Sequence, residues 1–160
     1  MRHTNVLKDN QGFTIVELLT IVVIVGILGA LAGPSFLAWN QRKQADAAIS
    51  SLEGAIKEAQ RKAMSKSRTC NIAFDTTNPN EPKITSADNC LPTGNRTVEN
   101  VFLASSNTTM SFNHLGETTT AVTVTVTHQG NPNLQRCLVV STPLGLIGKG
   151  ENPNNGVCNP

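Results

Sequence analysis

A chain of 160 residues suffices for one modest domain plus an appended segment and leaves little room for a second full core. Its hydrophobic content of 39% is unevenly spread, with a dense apolar block near the start and a polar, Thr- and Asn-rich chain after it. A formal charge of only +2 excludes a surface that holds nucleic acid by bulk charge.

Residues 1–12, MRHTNVLKDNQG, are polar and carry Arg2 and Lys8, and the apolar run FTIVELLTIVVIVGILGALAG follows abruptly. From Phe13 to Ala32 about twenty residues hold a single ionisable group, Glu17, which is helix enough to cross a bilayer core. A secretory signal places its small-residue cleavage site after the apolar stretch, whereas here the turn-prone Gln11-Gly12 precedes it. Cleavage between Gly12 and Phe13 would keep the helix on the mature chain and leave about +1 on its side chains. Without cleavage the segment is a plain single-pass anchor with a short cytoplasmic tail.

Glu17 bears on that choice. An unpaired carboxylate inside an apolar run costs about 3 kcal/mol on insertion scales. Either it is protonated near the membrane edge, or it meets an opposite charge such as the new α-amino group of a neighbouring subunit's Phe13.

Gly12, Phe13, Thr14, Ile15, Val16 and Glu17, the long apolar helix after them and Pro34 resemble the class III signal of type IV pilins and type II secretion pseudopilins. The resemblance implies that a prepilin peptidase cuts after Gly12 and methylates the amine of Phe13, with Glu17 guiding subunit registration. It implies a kink or melted stretch at Pro34, in keeping with proline's missing N–H and its clash with the preceding turn. It also implies an inner-membrane assembly platform, and other major and minor pilins or pseudopilins, as partners. Arg42 and Lys43 follow the span about as strongly as Arg2 and Lys8 precede it, so charge alone does not orient the chain. The resemblance and the placement of all four cysteines beyond the span set the N-terminus inside, with the C-terminal domain outside the cytoplasm.

After Trp39 the pattern stays helical. Ala45, Ala48, Ile49, Leu52, Ile56, Ala59 and Ala63 form one stripe, and Lys43, Asp46, Ser50, Glu53, Lys57 and Gln60 fall mostly opposite. A helix from Phe13 to about Lys66 would run roughly 80 Å. Beyond Arg68 the period changes to two: residues 70–74, 83–86, 100–104, 109–112, 121–128 and 136–141 read as strands, with a short last one at 145–147. The expected organisation is a leader at 1–12, a transmembrane and filament-core helix at 13–40, and a pilin-like domain at 41–160. The fold class is α+β, a long helix, half transmembrane and half amphipathic, packed on an antiparallel β-sheet. The tail from Gly148 to Pro160 has almost no apolar content and reads as irregular unless a cysteine ties it down.

Cys70, Cys90, Cys137 and Cys158 permit three pairings in an oxidising compartment. The two local pairs, Cys70 with Cys90 and Cys137 with Cys158, are favoured because each closes a short loop in a small β-rich domain. Zinc is the competing reading, but no CxxC spacing occurs and neither His114 nor His128 flanks a cysteine closely. No catalytic constellation, metal site or cofactor motif is read, so the chain is expected to be non-enzymatic.

A turn from Phe112 to Gly116, a Val/Thr strand, a Gly/Asn turn and a final strand ending in Leu144-Gly145 resemble the GspH/FimT group of minor pilins and pseudopilins. This implies a minor pilin that primes pilus assembly or sits at the tip, with a minor pseudopilin of a type II secretion system as the alternative. Some members of that group bind DNA through a Gly-Arg-x-Arg stretch. Here the aligned residues are Gly145, Leu146, Ile147 and Gly148, followed by Lys149, and both arginines are absent. A separate basic cluster, Arg61, Lys62, Lys66 and Arg68, is the weaker candidate for a DNA receptor. Complementing the helix C-terminal dipole on a solvated face is the favoured explanation of it.

Overall fold

The computed structural model describes residues 12–151 and Cys158, with the side chains of residues 31–34 set aside. Residues 1–11 of the expected leader at 1–12, and the side chain of Pro34 on which the kink rests, lie outside the described residues. The chain divides into two units, Met1–Ala38 and Trp39–Pro160.

Among the described residues of the first unit, helix α1 (Ile15–Lys66) begins at Ile15, and the side chains from Phe13 to Leu28 are exposed: Phe13 is 78% and Ile15 82% exposed. A row of Ile, Val and Leu left bare in this way needs lipid or other protein around it. Among the described residues, no single helix is long and apolar enough by itself to cross a membrane. Ile15–Ala30 and Ser35–Lys66, taken together across residues 31–34, pass on length and composition as a candidate span.

The second unit has its own core. The rest of α1 buries Ala45, Ala48, Ile49, Leu52, Ala55, Ile56, Ala59 and Ala63, a stripe at three- and four-residue spacing. Ile49, Leu52 and Ile56 are the large apolar side chains buried among these alanines. The described residues also form eight strands: β1 (Cys70–Asp75), β2 (Lys83–Thr85), β3 (Arg96–Thr97), β4 (Val101–Ser105), β5 (Thr109–Phe112), β6 (Val122–His128), β7 (Asn131–Ser141) and β8 (Leu146–Glu151). They form two antiparallel sheets rather than one, ordered β3-β2-β1-β5 and β4-β6-β7-β8. In β6, Val122, Val124 and Val126 face inward and Thr123, Thr125 and Thr127 lie half-covered on the other side.

Gly148–Glu151, expected to be irregular unless Cys158 ties the tail down, belongs to β8 in a chain where Cys158 is bonded to Cys137: Val139 pairs with Gly148, Leu138 with Lys149 and Arg136 with Glu151. Two glycines without side chains hid the period of two. Cys70 is bonded to Cys90 and Cys137 to Cys158.

Candidate assembly site

The site begins where the helix begins. Gly12, Phe13 and Thr14 are non-helical, and the first helical bond runs from the Leu18 amide to the Thr14 carbonyl, 3.1 Å. Thr14 is therefore the N-cap, and its hydroxyl accepts a hydrogen bond from the Glu17 amide at 3.2 Å. Thr14-x-x-Glu17 is the sequence signature of a capping box, and the bond from Thr14 to the third helical amide is its first half. The sequence reading treated Glu17 as a charge seeking a partner and missed this cap, although the spacing alone would have revealed it. Glu17 stands exposed in the first turn, where the amide dipoles favour a carboxylate. Gly12 and Phe13 are exposed beside it.

At the far end of α1 the motif residues of the C-terminal half converge on Gln60. Its side-chain amide donates to the Gly116 carbonyl at 2.8 Å and lies 3.4 Å from that of Gly145. Both glycines have positive φ, 81° and 64°. A Cβ on Gly116 would stand 2.9 Å from the Met64 sulfur, and one on Gly145 would stand 2.9 Å from both Gln60 Nε2 and Phe112 Cε1. Phe112, Gly116 and Gly145 thus mark the place where two turns close over one helix position. The pattern read along the sequence is a packing requirement.

Ion pairs through Arg136 and Lys149 join the β4-β6-β7-β8 sheet to the helix. Glu53 receives Lys57 at 2.6 Å and Lys149 at 2.7 Å, and Arg136 reaches Asp46 at 2.7 Å and Glu151 at 3.3 Å. Hydrogen bonds from Lys149 and then Lys57 hold the Glu53 carboxyl below its ordinary value of 4.5. At Glu58 burial pushes upward, but the Thr93 hydroxyl and amide and the Arg96 guanidinium together outweigh it, and the net direction is down.

The four cations of the basic cluster do not act alike. Arg68 donates to the Asp88 carbonyl at 3.0 Å, so it ties the helix end to the loop before Cys90. Arg61 and Lys66 are exposed, and Lys62 is half-covered. Lys149, which follows the position of the missing arginines, is held by Glu53. Both ring nitrogens of His128 are engaged, Nδ1 by the Gly130 amide at 3.0 Å and Nε2 by Gln44 at 2.8 Å, while His114 lies exposed in a turn. Among the described residues, no three His, Cys, Asp or Glu side chains gather as a metal site.

Comparison with known proteins agrees with this architecture. Residues 7–33 match the prokaryotic N-terminal methylation motif. Two curated fimbrial proteins of Pseudomonas aeruginosa are 38% identical over 58 residues, 36% of this chain, and the match spans 37% of their length. Two crystal structures of the type IV minor pilin FimU from Pseudomonas aeruginosa PAO1 superpose with a TM-score of 0.52 at 17% identity. They cover 65% and 72% of this chain and 90% and 92% of theirs. The chain thus carries the N-terminal methylation motif, and its fold, a long helix packed on antiparallel sheets, is pilin-like.

Proposed function

We propose that the chain is a non-enzymatic minor pilin of a type IV pilus, one that primes assembly or sits at the tip. One observation carries the reading: a bare apolar helix that opens on Gly12-Phe13 and Glu17 is attached to a domain whose own core is already filled. The domain buries a core of its own, whereas the helix from Phe13 to Leu28 leaves its apolar side chains bare, so that helix is the part built for other molecules. In this reading a prepilin peptidase cuts after Gly12 and methylates Phe13, and residues 13–40 hold the subunit in the inner membrane with residues 41–160 on the extracytoplasmic side. The platform then moves the helix from lipid into a bundle of other pilins. There Glu17 pairs with the Phe13 amine of a neighbour, in a low dielectric where an opposite charge counts most. The two disulfides suit the oxidising side of the membrane.

A type II secretion pseudopilus would use the same N-terminal chemistry. The identity to fimbrial proteins favours the pilus. DNA capture through Arg61, Lys62 and Lys66 draws less support, since Arg68 and Lys149 are bound within the domain.

Replacement of Glu17 by Ala tests the role in assembly. The variant is expected to be inserted and processed normally, yet to fall at least tenfold in sheared filaments by quantitative immunoblot. Incorporation at the native level would contradict the role given to Glu17.

A further inference from the structure

The start of α1 is set by one hydroxyl, and it falls two residues beyond the proposed cleavage point. Because Thr14 is the N-cap, Gly12, Phe13 and Thr14 itself stay out of the helix. Were the helix to begin further upstream, the Gly12 carbonyl would accept the Val16 amide in the ordinary four-residue pattern. That carbonyl is the one a peptidase must attack. Water adds to it and the C–N bond to Phe13 breaks, so that Gly12 leaves as a carboxylate while the nitrogen takes a proton and becomes the Phe13 α-amine. A helical peptide unit offers neither an open carbonyl face nor an extended backbone for an enzyme to hold. The sequence supplies the upstream alternative: Asp9 and Asn10 are both of cap-forming type.

We infer that Thr14 is a positioning residue for leader removal: its side chain fixes the helix start and so keeps the Gly12–Phe13 bond extended and open to the peptidase. The inference rests on the processing reading above and adds a residue to it. Thr14→Val keeps the branched shape and deletes the hydroxyl, whereas Thr14→Asn changes the shape and keeps a strong cap.

The experiment is cleavage of the full-length chain in detergent micelles by purified prepilin peptidase, followed by intact mass. Amide exchange at Val16 is measured on the uncut chain. The native chain is expected to be cut after Gly12 with a rapidly exchanging Val16 amide. Thr14→Val should be cut about five-fold more slowly, the factor that losing a cap implies, with Val16 newly protected. Thr14→Asn should restore both. Native-rate cleavage of Thr14→Val would overturn the inference and leave processing intact. Slow cleavage of both variants with unchanged Val16 exchange would also overturn it, because the enzyme would then be reading the threonine itself. A native chain left uncut by a peptidase that cleaves a control prepilin would overturn the processing reading and this inference with it.

Discussion

Gly145 is where a single atom decides most. Its φ of 64° disfavours any side chain, and the space a Cβ would need is held by Gln60, Phe112 and the Gly116 carbonyl at 2.9 to 3.0 Å. Gln60 can yield a little, but buried Phe112 and the backbone cannot. Gly145→Ala should therefore cost about 2 kcal/mol of domain stability, read as a lower urea midpoint with an unchanged slope. An unchanged midpoint would mean that the two turns are not locked around Gln60. The other decisive residues lie at the opposite end of the helix, and they were only half legible. The sequence places Glu17 inside an apolar run, but hydropathy says nothing of a hydrogen bond between Thr14 and the helix backbone. That bond was readable from the Thr-x-x-Glu spacing, which is a statement about turn geometry and not about polarity.

At the scale of elements, the amphipathic half of α1 was readable because burial repeats every three or four residues. Ala45 to Ala63 fall on the stripe, and Ala55 joins it from a position the sequence reading passed over. Strand β6 was readable because Val and Thr alternate strictly. Strand β3 was not, since two residues carry no period. The early start of β7 at Asn131 was hidden by Gly130-Asn131-Pro132, which reads as a turn but pairs after a register shift at Thr127/His128. Division into two sheets was likewise not readable, because partners in a sheet are set by tertiary register and not by local pattern.

Elements are also where pH acts. Glu53 and Glu58 both titrate below their ordinary 4.5 in the folded chain. A depressed carboxyl contributes stability that is complete above the unfolded value and is lost as pH falls through the folded one. The urea midpoint of the domain should thus be level above about pH 6 and fall steadily from about pH 5 downward. Glu53→Gln should lower the plateau, because Lys57 and Lys149 lose their partner, and should flatten the acid slope. An identical slope in the variant would remove Glu53 from the account.

On the scale of the whole molecule, the chain divides into a part that buries its apolar side chains and a part that leaves them bare. The domain fills its own core from the alanine stripe and two sheets, while the first part of α1 shows Ile, Val and Leu on every side. Composition announced this division at once, since the apolar block and the cysteines occupy separate parts of the sequence.

The most direct measurement is intact mass with N-terminal sequencing of the protein recovered from membranes and from sheared filaments. A chain that begins at N-methylated Phe13 and is present at low copy in the filaments is the predicted result. An uncut chain beginning at Met1 and confined to the membrane, in cells with an active prepilin peptidase, would contradict the pilin account and leave an ordinary anchored domain.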